Sequence, residues 1–122
     1  MSAPPILVVD DDPGILAVVA EALDLEGYAV RTATNGAEAL ALVAEERPSL
    51  VLLDMRLPVL DGWGFAHAIK VLGIALPILV MTAAQDARRW AAEIDAQGYL
   101  AKPFELTELF GAVERLLPDS PR

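Results

Sequence analysis

Three kinds of chemically useful side chain stand after four short apolar runs in this chain. Asp10 and Asp11 follow Ile6-Leu7-Val8-Val9, and Asp54 follows Leu50-Val51-Leu52-Leu53. Thr82 follows Ile78-Leu79-Val80-Met81, and Lys102 follows Gly98-Tyr99-Leu100-Ala101. Carboxylates gathered at one place repel: two unit charges about 4 Å apart cost about 4 kcal/mol at an effective dielectric of about 20. A cluster of Asp10, Asp11 and Asp54 therefore requires a cation. Oxygen-only ligands on a partly open site favour Mg²⁺, which retains waters and accepts a substrate phosphate as a further ligand; Mn²⁺ is the alternative. A lysine and a hydroxyl beside such a centre suit phosphoryl transfer. The metal and Lys102 would neutralise charge on the equatorial oxygens, while Thr82 and backbone N–H groups hold them.

For these groups to meet, the apolar runs must be parallel strands of one sheet. Residues 50–53 form a continuous apolar run ending in a carboxylate, with Pro58 and Asp61-Gly62 breaking the chain beyond it. That is the pattern of a strand buried on both faces, and the carboxyl ends of such strands are where open α/β sheets bind ligands. Residues 6–9, 77–81 and 98–101 read as further strands, and residues 28–32 as a weaker one in which Tyr28 and Val30 alternate with other residues.

Helical patterns fill the intervals. Asp12 before Pro13-Gly14 is a natural N-cap, more so than a third ligand, and Ile15, Leu16, Val19, Ala22 and Leu23 share a face that ends at Gly27. Asn35 and Glu38 make a capping pair for a second helix closed by Pro48. A third helix after Asp61-Gly62 carries Phe65, Ala66, Ile69 and Leu72 inward, with Asp61 in turn and cap chemistry. A short fourth spans residues 86–94 with Trp90, Ala91 and Ile94 on one side. The last shows a stripe of Leu106, Leu109, Phe110, Val113, Leu116 and Leu117. Five strands alternating with five helices predict an α/β fold, a doubly wound parallel sheet with helices on both faces. His67, Arg88 and Arg89 read as surface residues and Trp63 and Trp90 as packing residues.

Composition narrows the function. The chain of 122 residues is 55% hydrophobic and 22% charged, which suits one globular domain. A core over residues 5–117 is expected, with 118–122 as a tail or the start of a linker. A net charge of −9 argues against direct nucleic-acid binding and against anionic membrane surfaces. No apolar run approaches the ~20 residues of a membrane span, and no basic leader precedes Pro4-Pro5. The absence of cysteine excludes disulfides and fits a cytoplasmic protein, and one histidine excludes a multi-histidine metal site.

Val8-Val9-Asp10-Asp11, Leu53-Asp54-Met55-Arg56-Leu57-Pro58, Asp61-Gly62, Met81-Thr82-Ala83 and Tyr99-Leu100-Ala101-Lys102-Pro103, in this order, resemble a response-regulator receiver domain. That family is the phospho-acceptor module of two-component signalling, related to the chemotaxis regulators, and the resemblance covers nearly the whole chain. It implies a flavodoxin-like three-layer sandwich with strand order 2-1-3-4-5. It implies that Asp54 takes a phosphoryl group from the phosphohistidine of a sensor histidine kinase or phosphotransfer protein. Asp11, Asp54 and the backbone carbonyl of Arg56 would ligate Mg²⁺, with Asp10 acting largely through metal-bound water. Lys102 would pair with Asp54 and then with the phosphoryl group, which Thr82 and Ala83 would also hold. Thr82 and Tyr99 would be the switch pair, altering a surface of helix four, strand five and helix five.

The resemblance also implies a cis Lys102-Pro103 bond, self-catalysed phosphorylation and dephosphorylation, and a monomer or phosphorylation-dependent homodimer. The resemblance places Arg56 and Ala84 at positions where the family tunes the attacking water, and a long cation at one with a methyl at the other leaves the phosphoryl lifetime open. The interval from Thr82 to Lys102 is shorter than the family's usual one, so a short helix four is expected. The downstream target is not written in the sequence, nor is whether the chain stands alone or belongs to a longer regulator. Two other readings compete. In a haloacid-dehalogenase-like phosphatase, Asp10 would be the nucleophile and Asp12 the acid; in a receiver-like interaction module, no phosphate would be taken.

Overall fold

Short, mostly apolar runs bounded by turn residues favour strands, and here five such strands lie side by side in one parallel sheet. The computed structural model describes residues 3–83 and 85–117. Its elements in chain order are β1 (Ile6–Val9), α1 (Pro13–Leu25), β2 (Val30–Ala33), α2 (Gly36–Glu45), β3 (Leu50–Asp54), α3 (Gly62–Val71), β4 (Ile78–Ala83), α4 (Ala87–Glu93), β5 (Gly98–Lys102) and α5 (Leu106–Leu116). The sheet order is β2-β1-β3-β4-β5, so the expected doubly wound architecture is present. Ala84 and the expected tail over 118–122 lie outside the described residues.

Side chains alternate between the two faces of each strand, and each face is covered by helices. Ile6, Val8, Leu50, Leu52, Leu79, Met81 and Leu100 pack with Leu16, Val19 and Leu23 of α1 and Leu109 and Val113 of α5. Leu7, Val9, Val51, Leu53, Ile78 and Val80 pack on the other face with Val43 of α2, Phe65 and Ile69 of α3 and Trp90 of α4. Burying each such side chain contributes roughly 1.5–3 kcal/mol before the entropy of ordering is counted. None of the helices among the described residues is long and apolar enough to cross a membrane.

The expected caps are present. Asp12 accepts from the N–H groups of Gly14 and Ile15 at 2.8 and 3.3 Å. Asn35 accepts from Glu38 N–H at 2.8 Å, while the Glu38 carboxylate reaches past the cap to Thr34 N–H at 2.7 Å. Asp61 accepts from Gly64 N–H at 2.8 Å. α4 is short, seven residues.

Three local expectations need correction. β2 begins at Val30, because Ile6 N–H bonds to Ala29 O and Ile6 registers against Val30; Tyr28 instead packs in the layer with α1 and α5. Leu72 does not point inward. It is the exposed C-cap of α3, and Ile74, folded back by Gly73 at φ 73°, covers the layer in its place. Leu106, the first residue of α5, is likewise exposed rather than part of the buried stripe.

The Tyr28 hydroxyl is buried and has no hydrogen-bond partner among the described residues. A buried polar group left unpaired costs about 1–3 kcal/mol. Tyr28→Phe is therefore expected to raise stability by about 1 kcal/mol, read as a shift in urea midpoint at unchanged slope. A lower midpoint would contradict this placement of the ring.

Candidate functional site

Parallel register brings the polar residues together. Val9 is opposite Leu53, Asp54 opposite Met81, Thr82 opposite Ala101 and Ala83 opposite Lys102. The residues ending these strands, with Asp10 just past β1, therefore share the sheet's carboxyl edge. One carboxylate oxygen from each of Asp10, Asp11 and Asp54 lies within 4.8 Å of the others. Asp10 is 0% exposed and Asp54 7% exposed, whereas Asp11 is open to solvent.

Lys102 crosses this acidic cluster. Its Nζ donates to Asp10 Oδ2 at 2.8 Å and lies 3.6 Å from Asp54 Oδ2. The expected Lys102–Asp54 pair is thus present, but the shorter bond is to Asp10. The other oxygen of Asp10, Oδ1, accepts from Asp12 N–H at 3.0 Å. The Lys102-Pro103 peptide is cis, as the resemblance implied.

Burial raises the Asp54 pKa above the usual 3.8, opposed by the positive charge of Lys102, reinforced by Asp10 and moderated by N–H bonds from Arg56 and Met55. For Lys102, burial pushes downward, but the hydrogen bond to Asp10 and the charges of Asp54 and Asp10 outweigh it and hold the pKa above 10.5. Lys102 accordingly stays cationic at neutral pH.

The loop after β3 is shaped by close backbone approaches. Gly62 N–H bonds to Met55 O at 2.9 Å, and a Cβ on Gly62 would lie 2.7 Å from Met55 Cα. Gly36 N–H bonds to Leu60 O at 2.8 Å, tying the start of α2 to the same loop. Val59 sits in left-handed backbone, φ 67°, with its side chain 83% exposed.

Thr82 is buried, Ala83 is at the surface, and Tyr99 is 47% exposed, its ring outside the core. His67 is exposed, as are Arg88 and Arg89. Sequence reading missed a cluster beside the loop: the Arg56 guanidinium lies 5.0 Å from the ring centre of Trp90, which meets Trp63 edge-on. Its only sequence signal was two tryptophans in neighbouring helices.

These residues suit a hard divalent cation. The donors are all oxygen, one carboxylate is open, and among the described residues Lys102 pairs with two of the three acidic groups, Asp10 and Asp54. They suit the phosphatase reading poorly, since Asp10 is buried against Lys102 and Asp12 is occupied as a helix cap.

A raised Asp54 pKa means that the folded state binds this proton more tightly than the unfolded chain. Stability gained from protonation is present at low pH and lost as pH rises from 3.8 to the folded value. Asp54→Asn should therefore be more stable than the wild type at pH 7 without divalent cation, and the margin should narrow on acidification. For Lys102 the sign is reversed: its stabilisation is complete below 10.5 and is lost as pH rises through its raised pKa. Urea midpoints of both proteins at pH 4 and 7 check the first expectation, and a less stable Asp54→Asn at pH 7 would refute it.

Comparison with known proteins agrees with this geometry. The family model described as the response regulator receiver domain matches residues 6–114. The transcriptional regulatory protein PrrA of Mycobacterium tuberculosis is 41% identical over 119 residues, covering 96% of this chain but 51% of that protein, so the chain spans about half of such relatives. Sporulation initiation phosphotransferase F of Bacillus subtilis is 40% identical over 115 residues, covering 93% of each chain. The crystal structure of the receiver domain of NtrX from Brucella abortus superposes with a TM-score of 0.85 at 35% identity, over 94% of this chain and 99% of that one. The rival phosphatase reading finds no support in these matches. The chain belongs to the response regulator receiver domain family, the receiver modules of two-component signalling.

Proposed function

We propose that Asp54 is the phosphoryl acceptor and that Asp10, Asp11, Thr82 and Lys102 serve its reaction. The observation that carries this reading is the bridging position of Lys102, 2.8 Å from Asp10 and 3.6 Å from Asp54, at the edge where Asp11 is open to solvent. An Asp54 oxygen attacks the phosphorus of a phosphohistidine; the P–O bond forms as the P–N bond breaks, and the leaving imidazole takes up a proton. A carboxylate of raised pKa is more basic and a better nucleophile than an ordinary one, while the N–H groups of Met55 and Arg56 orient it. Lys102, held cationic, stabilises charge gathering on the phosphoryl oxygens, and the Thr82 hydroxyl binds one of them.

Asp11 and Asp54, with the carbonyl of Arg56, would hold Mg²⁺ or Mn²⁺, and Asp10 would support it through bound water. Such an ion supplies charge neutralisation and orientation of the phosphoryl group. The donor is a sensor histidine kinase or a phosphotransfer protein, both of which are general phosphoryl sources for receiver domains. A groove beside Lys102, lined by Ile15, Val18, Pro103, Phe104 and Leu106, offers the donor an apolar seat.

The output is a two-state switch. Thr82 is drawn to the phosphoryl group, Tyr99 turns from solvent into the space behind it, and the α4–β5–α5 surface changes. In this reading the protein works in the cytoplasm, and the altered surface meets a downstream target or a second phosphorylated copy of the chain. The full-length match to a phosphotransferase favours a second output, in which the phosphoryl group is passed on to a histidine protein.

Intact mass after incubation with acetyl phosphate and Mg²⁺ tests the reading. One added phosphoryl group is expected on the wild type and none on Asp54→Asn. Labelling retained by Asp54→Asn would move the nucleophile elsewhere, and no labelling from either acetyl phosphate or a phosphorylated kinase would favour a phosphate-independent module.

A further inference from the structure

Arg56 touches two places at once. Its backbone N–H donates to the Asp54 carboxylate, and its guanidinium lies over the ring of Trp90 on α4, 5.0 Å from the centroid. Trp90 meets Trp63 at 4.8 Å between centroids and 69° between planes, and Trp63 Nε1 donates to Glu93 Oε1 at 2.8 Å. A continuous run of contacts thus leads from the carboxylate through the loop to both tryptophans of the chain and to the end of α4.

α4 is lightly held. It has seven residues, its N-cap Asp86 makes no side-chain capping bond, and its buried residues are Ala87, Trp90 and Ala91. Trp90 is the large member of that set and packs in the layer that holds Leu53 and Val80. A contact on this ring therefore bears directly on where α4 sits.

We propose that Arg56 couples α4 to the state of Asp54: its guanidinium stacks on Trp90 while Asp54 is free and moves to the phosphoryl oxygens once Asp54 is modified. The proposal rests on Asp54 being the acceptor. With Asp54 unmodified, its charge is already met by Lys102 and by backbone N–H groups, and the guanidinium gains by covering the indole. A phosphoryl group adds negative charge and acceptor oxygens beside the same loop. The planar fork of an arginine matches such oxygens bidentately, and charge-assisted hydrogen bonds of this kind outweigh an exposed cation–π contact. The ring then loses its cation, and α4 loses its tie to the loop.

Trp90 supplies the readout. The whole chain carrying Trp63→Phe, which leaves one indole, is followed by fluorescence in Mg²⁺ before and after acetyl phosphate, with the phosphorylated fraction measured by intact mass. The expected result is an emission change proportional to that fraction, lost when Arg56→Met is added. Arg56 is exposed, so this change keeps the fold. The same comparison with Trp63 retained guards against disturbance of the pair. Added mass with no emission change, or with an equal change per phosphoryl group in Arg56→Met, would overturn the coupling and leave the acceptor reading standing. No added mass from acetyl phosphate or from a phosphorylated kinase would overturn both.

Discussion

Charge balance at the carboxyl edge of the sheet is the constraint on which the other features depend. Asp10 is fully buried, and a buried anion persists only where a cation and hydrogen bonds replace its water. Lys102 supplies that cation from ninety-two residues further along the chain. Its arrival depends on β5 lying beside β4, β4 beside β3, and β3 beside β1. Removing one partner of such a pair typically costs about 3–5 kcal/mol, because the other is left buried and uncompensated. The same lysine also spans to Asp54, so one side chain supports the fold and conditions the candidate nucleophile.

Much of this arrangement was legible in the residues because each polar group directly follows an apolar run. Runs of such length have few options other than buried parallel strands, and right-handed crossovers then bring their carboxyl ends to one edge. Caps were legible for a related reason: Asp12, Asn35 and Asp61 each satisfy helix N–H groups within their own local segment. Local chemistry needs no knowledge of the rest of the fold.

What was not legible depends on three-dimensional placement. Periodicity marked Leu72 and Leu106 as core-facing, but each lies at a helix end, where the face that periodicity identifies no longer has a layer to cover. Tyr28 looked like part of an alternating strand, yet the ladder begins at Val30. Which carboxylate takes the shorter bond from Lys102, and the stacking of Arg56 on Trp90, depend on side-chain directions that spacing does not encode.

The position of each polar group at a strand terminus has a consequence for how this protein can diverge. A strand that slips by one residue exchanges its faces, so an insertion inside β3 would send Asp54 towards the opposite layer and separate it from Lys102. An insertion or deletion in a loop flanking a helix shifts no register, whereas one inside a helix turns its apolar face by about 100° per residue. Chain length is therefore free to drift in the loops between elements and fixed within the strands. Lineages of this fold can remodel the helical surfaces that partners meet while the spacing of the carboxyl edge stays constant.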